Sequence, residues 1–330
     1  MGERHDTVRT IRANVAALAD GPWLLAVSGG PDSMVLLDAA TAVHPRSSLV
    51  VATFDHGTGR AATAAAALVA RRACELGIPV VVGRGSTPVT EVATAAATEA
   101  AWRAARWRFL RECAERAGAT IVTGHTRDDQ VETVFMRALR GAGPRGLAAL
   151  YASSRIRRPL LEVGRESIMS YTRSRHITFV TDASNADRRH LRNRVRHDLL
   201  PAIRAHRPDF EHELLALARV AAEWRARSEA VALTFPLMIQ PSGNPAFARA
   251  PLGGFAPGEL RTLWPALAAR IGVVLDARGT ERLASFTIDG ETGQRIQLAG
   301  GTEVRMERDA LVFAPLVHRP RRSSREGADG

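Results

Sequence analysis

Six residues between an apolar run and a helical pattern have the composition of a phosphate-binding loop. They are Ser28-Gly29-Gly30-Pro31-Asp32-Ser33, and they follow the run Trp23–Val27. At such a glycine turn, backbone N–H groups and the positive end of the next helix dipole converge, so a phosphate could bind there with Mg²⁺ held by the carboxylate of Asp32. No lysine follows the turn, which excludes the Walker P-loop. Taken alone, the turn is equally compatible with a structural loop.

A second polar cluster, at residues 124–133, reads Gly-His-Thr-Arg-Asp-Asp-Gln-Val-Glu-Thr. Helical spacing would bring Asp129, Glu132 and Thr133 close together, so the two carboxylates could bind a cation or a cationic substrate. The alternative is structural, with Asp128 capping the helix and Glu132 adding charge to its first turn.

The first half of the chain alternates apolar runs with longer helical patterns, which predicts an α/β fold with a parallel sheet covered by helices on both faces. Ser28, Asp55 and His125 each follow a predicted strand, so they should share the crevice at the carboxyl edge of the sheet. The predicted strands are Trp23–Val27, Leu49–Phe54, Ile78–Val82, Thr120–Gly124 and Ile177–Thr181. The predicted helices are Asp32–Val43, Ala61–Leu76, Val92–Ala117 and Asp128–Leu139.

The pattern changes in the second half of the chain. We predict a domain boundary near Pro208, between an N-terminal domain at 1–208 and a smaller, mainly helical domain at 209–317. The Gly-Gly pair and alternating apolar residues of Gln294–Ala314 predict a short β-hairpin in the second domain. The basic tail at 318–330 has too little apolar content to pack, and we expect it to be disordered.

The composition predicts a cytoplasmic protein with a polyanionic partner. Of the 330 residues 45% are hydrophobic and 24% charged, and no stretch approaches the roughly 20 apolar residues that span a bilayer, so we expect no membrane association. All 45 Lys+Arg residues are arginine, and codon bias explains the absence of lysine. The net charge of +11 itself favours nucleic acid as the partner. We expect Cys74 and Cys113, far apart in sequence, to be reduced and buried.

Several motifs in fixed order resemble a known family. The loop SGGPDS resembles the SGGxDS loop of the PP-loop ATP pyrophosphatases, which cut ATP between its α and β phosphates. Together with FDHG, AAWRAARWRFL, GHTRDDQVET, RRPLL and DASNADRRHLRNRVRHDLLP, roughly residues 20–205 resemble the tRNA(Ile)-lysidine synthases. Thr126 stands where the family commonly has histidine, and Trp107 where it has tyrosine. The length indicates a short form.

The resemblance implies an enzyme that adenylates the wobble cytidine in the CAU anticodon of isoleucine tRNA and then couples L-lysine to C2 of the base. ATP would become AMP and pyrophosphate. The loop Ser28 to Ser33 would bind ATP, and Asp32 and Asp129 would bind Mg²⁺. The predicted catalytic residues are Asp32, His125 and Asp129, the predicted lysine ligands are Asp129 and Glu132, and the predicted tRNA contacts are Arg106, Arg192, Asn193, Arg194 and Arg196.

Other interpretations remain open at this point. A tRNA thiolase of the same superfamily would need catalytic or cluster-binding cysteines, and Cys74 and Cys113 show no such pairing. A non-catalytic module that binds ATP or RNA would not need the acidic residues at the crevice. A homodimer is compatible with the sequence, and we assign the rejection of methionine tRNA to residues 209–317.

Overall fold

A computed structural model of the protein describes residues 2–57, 59–85, 95–181 and 187–316. The chain divides into two compact units. The first consists of Met1–Ala142 and Gly146–Ala222, and the second consists of Gly143–Arg145 and Glu223–Gly330. The predicted boundary near Pro208 comes before the helix in which this division falls, Phe210–Leu233. The tail predicted at residues 318–330 lies outside the described residues.

The first unit contains a four-stranded parallel sheet, as the alternating pattern predicted. The order of its strands is β3-β2-β1-β4, and Trp23 at the start of β1 pairs with Leu49 on one side and Thr120 on the other. The strands are β1 (Trp23–Ala26), β2 (Leu49–Asp55), β3 (Val80–Arg84) and β4 (Thr120–Thr123). Because β1 is central, the loop that follows it opens in the middle of the carboxyl edge.

Helices cover both faces of this sheet. One face packs on a core that includes Leu36 and Val69, and the other on a core that includes Leu110 and Ala114. In chain order the helices up to residue 233, the last of which includes the division between the units, are α1 (Gly2–Ala16), α2 (Pro31–Val43), α3 (Arg60–Glu75), α4 (Ala95–Ala117), α5 (Arg127–Leu139), α6 (Pro144–Leu147), α7 (Arg165–Ser174), α8 (Leu191–Arg194), α9 (Leu200–His206) and α10 (Phe210–Leu233). A π-helical turn at Val195–Leu199 joins α8 to α9.

The fifth strand predicted at Ile177–Thr181 is wrong. This segment has no strand partner, and the backbone N–H of Val180 instead donates to the carbonyl of Gly29 at 2.9 Å. Ile177 and Phe179 pack on the core, which explains the apolar pattern without a strand. Beside β4, a parallel bridge from Arg157 to Val122 extends the sheet.

The second unit combines helices with more β-structure than the sequence predicted. The predicted hairpin is present, but it belongs to a five-stranded antiparallel sheet in the order β5-β6-β9-β8-β7. The strands are β5 (Leu237–Ile239), β6 (Pro245–Ala248), β7 (Arg295–Leu298), β8 (Thr302–Met306) and β9 (Ala310–Pro315). The helices are α11 (Arg249–Leu252), α12 (Pro257–Arg270) and α13 (Ala277–Asp289). Trp264 anchors the core, with Nε1 donating to Thr287 Oγ1 at 2.8 Å.

The two cysteines differ in exposure. Both are free thiols, and Cys113 is buried as predicted, but Cys74 is exposed. Helix α3 buries Ala66, Val69 and Ala73, at helical spacing, so Cys74 falls on its outer face. Within the described ranges, no helix has the length and apolar content needed to cross a membrane.

Candidate functional site

The loop between β1 and α2 is shaped by the side chain of Ser33. This buried hydroxyl donates to the carbonyl of Gly30 at 3.0 Å and accepts from the backbone N–H of Ser28 at 3.1 Å. Its Oγ also lies 3.2 Å from Ser28 Oγ. The amide of Ser28 is therefore engaged within the loop, and the donors left for a ligand lie further along the turn.

Gly29 occupies a conformation and a space that only glycine fits. Its φ is +85°, and an added Cβ would lie 2.9 Å from the Cβ of Ala65 on α3. Pro31 at the first turn of α2 lacks an N–H where none is needed, while the amides of Asp32 and Ser33 have no acceptor inside the helix. These amides and the helix dipole could bind an anion, and the phosphate site expected from the sequence stays a prediction.

Asp32 contributes a half-buried carboxylate at this site. Burial, and then the negative charge of Asp129, raise the pKa of Asp32 to about 6, although Arg165 and Arg196 act in the opposite direction. None of the described residues forms a hydrogen bond or salt bridge with this carboxylate. A bound cation would compensate this charge, so the site fits Mg²⁺.

The described residues contain no group of three or more His, Cys, Asp or Glu side chains with the geometry of a metal site.

The loop after β4 lies directly against the phosphate loop. An added Cβ on Gly124 would be 2.9 Å from the carbonyl oxygen of Asp32. Thr126 caps α5, and its N–H donates to Asp129 Oδ2 at 2.9 Å in a capping box. The structural alternative in which Asp128 caps the helix is wrong, because Asp128 Oδ2 accepts from the backbone N–H of Arg165 at 2.9 Å.

His125 lies at the junction of β4 and α5. Its Nδ1 is 2.7 Å from the hydroxyl of Thr123. Burial, with the positive charges of Arg158 and Arg106, lowers the pKa of His125 to about 4, although Asp129 acts in the opposite direction. The imidazole is therefore neutral at pH 7 and can take part in hydrogen bonds without carrying charge.

The predicted lysine ligands and two of the predicted tRNA contacts form one ion-pair network. Arg192 donates from Nε to Glu132 Oε2 at 2.7 Å and from Nη2 to Asp129 Oδ1 at 2.7 Å. Arg196 hydrogen-bonds both oxygens of Glu132, whose side chain is only 2% exposed. Lysine or tRNA could use these groups only if the ion pairs opened, so both assignments stay predictions.

The other predicted tRNA contacts occupy different environments. Asn193 Nδ2 donates to the carbonyl of Asp187 at 2.9 Å, while Arg194 is exposed. Arg106 on α4 is half-buried, with its guanidinium carbon 5.8 Å from the centre of the Trp107 ring. Arg192 is nonetheless close enough to Arg106 for its charge to lower the pKa of Arg106, after burial and the charge of Arg103.

Two further residues at this edge have roles that sequence reasoning did not assign. Asp55 accepts from the N–H of Gly57 and from Thr63 Oγ1, both at 2.9 Å, so it organises the loop after β2. Arg158, in the motif RRPLL, follows the bridge between Arg157 and β4 and lies close enough to His125 to lower its pKa. The motif RRPLL marked Arg158 in the sequence, but its spacing did not indicate that Arg158 lies close to His125.

Comparison with known proteins identifies the family. A family model described as a PP-loop domain matches residues 4–203. The chain is 40% identical to a tRNA(Ile)-lysidine synthase of Salinispora tropica over 80% of this chain and 78% of that protein. It is 36% identical to one from Bradyrhizobium sp. strain BTAi1, over 93% of this chain and 94% of that protein.

A solved structure supports the fold. The U34-tRNA thiolase NcsA of Methanococcus maripaludis, solved with its [4Fe-4S] cluster, superposes with a TM-score of 0.54 at 12% identity, covering 66% of this chain and 78% of that one. At this identity the likeness concerns the fold alone. With the PP-loop match and the extent of the sequence identities, the chain belongs to the tRNA(Ile)-lysidine synthase family of PP-loop proteins.

Proposed function

We propose that this protein ligates L-lysine to C2 of the wobble cytidine in the CAU anticodon of isoleucine tRNA, using ATP. The observation that carries the proposal is the contact between two loops. Gly124, next to His125, lies against the backbone of Asp32 in the phosphate loop. A nucleotide bound on that loop would therefore have acid–base groups beside it.

In the first step, the carbonyl oxygen O2 of cytidine attacks the α-phosphorus of ATP. The bond between the α and β phosphates breaks, and pyrophosphate leaves. The amides of Gly29, Gly30, Asp32 and Ser33 bind the departing phosphates, helped by the dipole of α2. Alignment and charge stabilisation supply most of the rate in reactions of this kind.

Mg²⁺ would be held by Asp32 and phosphate oxygens, where it would neutralise charge on the phosphates. Asp129 is the second proposed ligand. Its Oδ1 accepts from Arg192 and its Oδ2 from Thr126, so Asp32 is the more available of the two carboxylates.

In the second step, the ε-amine of lysine attacks C2 and the new C–N bond forms. The C2–O2 bond breaks, and AMP leaves with O2 as one of its phosphate oxygens. The amine must lose a proton, and its free pKa is about 10.4. His125 is a weak proton acceptor because its pKa is about 4. This favours the alternative in which a carboxylate accepts the proton, while His125 orients the reacting groups by hydrogen bonding.

We assign lysine binding to Asp129 and Glu132, and tRNA binding to Arg106 and the segment 192–196. Because Glu132 is paired in the absence of substrate, lysine would have to displace an arginine from it. Recognition of isoleucine against methionine tRNA is assigned to residues 209–317. Cytoplasmic location and homodimer formation stay predictions of the sequence.

Pyrophosphate release tests the first step. Purified protein with ATP and Mg²⁺ should release pyrophosphate only when an unmodified isoleucine tRNA with a CAU anticodon is present, and free AMP should follow in equal amount only when L-lysine is added. Asp32→Ala should abolish the release. Release that is independent of tRNA, or no release from a folded protein with this tRNA, would contradict the proposed function.

A further inference from the structure

Three arginines from two separate segments are neighbours, and two of them, Arg106 and Arg158, lie close to His125. Arg103 and Arg106 lie in the first half of α4, which begins at the carboxyl edge of the sheet, and Arg158 follows the bridge beside β4. Arg103 is exposed, and the other two are half-buried. Burial lowers the pKa of Arg106 and Arg158, and the charge of Arg103 lowers both further. The guanidinium group of Arg103 therefore lies close enough to Arg106 and to Arg158 to repel both.

No acidic side chain among the described residues compensates this repulsion, since none forms a salt bridge with any of the three arginines. Arg158 is held in place by Nη1, which donates to Ser154 Oγ at 2.9 Å. The Nε atoms of Arg106 and Arg158 are both buried and have no hydrogen-bond partner. Unpaired buried donors and like charges both destabilise the free protein, and a bound anion would relieve both costs.

Aromatic side chains accompany these arginines. The guanidinium of Arg106 lies over the ring of Trp107, and Trp102 packs 6.3 Å from His56. The Nδ1 atom of His56 is also buried without a partner. Arginines alternating with aromatic rings are typical of surfaces that bind single-stranded nucleic acid, because phosphates pair with guanidinium groups and bases stack on rings.

We propose that Arg103, Arg106 and Arg158 form one phosphodiester-binding site for the RNA strand that flanks the target nucleotide. Identifying that strand as the anticodon loop rests on the proposed function. ATP could offer the same phosphate chemistry, but its phosphates already have the amides and helix dipole of the loop at 28–33. The cluster therefore acts on RNA affinity and orientation, and the binding of ATP is separate from it.

Equilibrium binding of a labelled CAU anticodon stem-loop RNA tests this site. Affinity is measured between 50 and 300 mM salt for the parent protein, Arg103→Gln and Arg158→Gln, with ATP affinity measured by calorimetry. Arg116→Gln is the matched control, because Arg116 is exposed on the same helix, away from the cluster. If Arg158→Gln does not fold, Arg158→Lys is used in its place, because it keeps the positive charge. Arg103→Gln should fold, because Arg103 is exposed.

We expect Arg103→Gln and Arg158→Gln each to weaken RNA binding by about tenfold and to reduce the slope of log K against log salt by about 0.7–0.9. ATP affinity and the control should stay at the parent values. RNA binding equal to that of the parent would overturn the site, and a loss of ATP affinity alone would assign the cluster to ATP. The binding measurement does not depend on catalysis. If the parent protein has no ligase activity but the variants still lose RNA affinity, the proposed function is refuted and the RNA site stands.

Discussion

Arg192 donates a hydrogen bond of 2.7 Å from Nε to Oε2 of Glu132, across 60 residues of sequence. This bond joins the basic segment to the helix that begins at the acid–base cluster. Arg192 lies in α8, the π-helical turn at Val195–Leu199 follows that helix, and Arg196 within the turn reaches the same carboxylate. Glu132 therefore binds two arginine side chains, Arg192 and Arg196, at the edge of the candidate nucleotide site.

Loss of the Glu132 carboxylate should destabilise the protein. Glu132→Ala removes the carboxylate that two partly buried arginines share and leaves them Asp129 alone, so we expect the free energy of unfolding to fall by about 2–3 kcal/mol. Urea denaturation measures this change. Glu223→Gln is the control, because its exposed pair with Arg227 should contribute less than about 0.5 kcal/mol. Equal effects of the two substitutions would contradict the structural role of Glu132.

Asp32→Asn should stabilise the fold at neutral pH while removing activity. The folded protein keeps a proton on Asp32 up to about pH 6, whereas the unfolded chain loses it near 3.8, so ionisation destabilises the fold as pH rises through this window. The variant should gain about 1–3 kcal/mol at pH 7.5, and the gain should disappear below pH 4. Urea denaturation at the two pH values checks this, and a variant less stable than the parent at pH 7.5 would refute it.

Acid should destabilise the protein through His125. The unfolded histidine takes up a proton near pH 6.5 and the folded one only near 4, so this contribution is present above 6.5 and is lost as pH falls toward 4. Between pH 7.5 and 4.5, His125→Gln should lose about 1–2 kcal/mol less stability than the parent. His206→Gln, at an exposed position on α9, should follow the parent. Identical pH profiles for all three proteins would show that His125 titrates normally.

Two adjacent glycines of the phosphate loop should differ in their tolerance of alanine. Gly29→Ala forces a side chain into a positive φ and against Ala65, and we expect it to cost about 2–3 kcal/mol. Gly30 has a φ of −77°, and its nearest neighbour would be 3.8 Å away, so Gly30→Ala should cost under about 1 kcal/mol. Thermal denaturation compares them, and equal losses would contradict the loop geometry.

The sequence predicted the parallel sheet and its first four strands because each apolar run is short and is followed by a loop or helix signal. It also predicted that the loops after β1 and β4 share one edge, and Gly124 against Asp32 confirms this. The strand predicted at Ile177–Thr181 failed because its apolar side chains pack on the core while Val180 donates to Gly29. An apolar pattern reports burial and does not specify the backbone partner.

The site was less predictable than the fold. Spacing brought Asp129 and Glu132 together, but nothing local indicates that Arg192 and Arg196 would neutralise them from a distant segment. Strands β5 and β6 were missed because they lie in a Pro- and Gly-rich stretch, where antiparallel pairing with β9 decides the structure. Long-range pairing of charges and strands is tertiary information, which periodicity does not carry.

Incorporation of radiolabelled L-lysine into tRNA tests the central claim most directly. The assay uses an unmodified CAU-anticodon isoleucine tRNA transcript with ATP and Mg²⁺, beside Asp32→Ala and a methionine tRNA. We predict incorporation into the isoleucine tRNA alone, lost in the variant. No incorporation by folded protein, or equal incorporation into both tRNAs, would contradict the account, and pyrophosphate release without incorporation would indicate a nucleophile other than lysine.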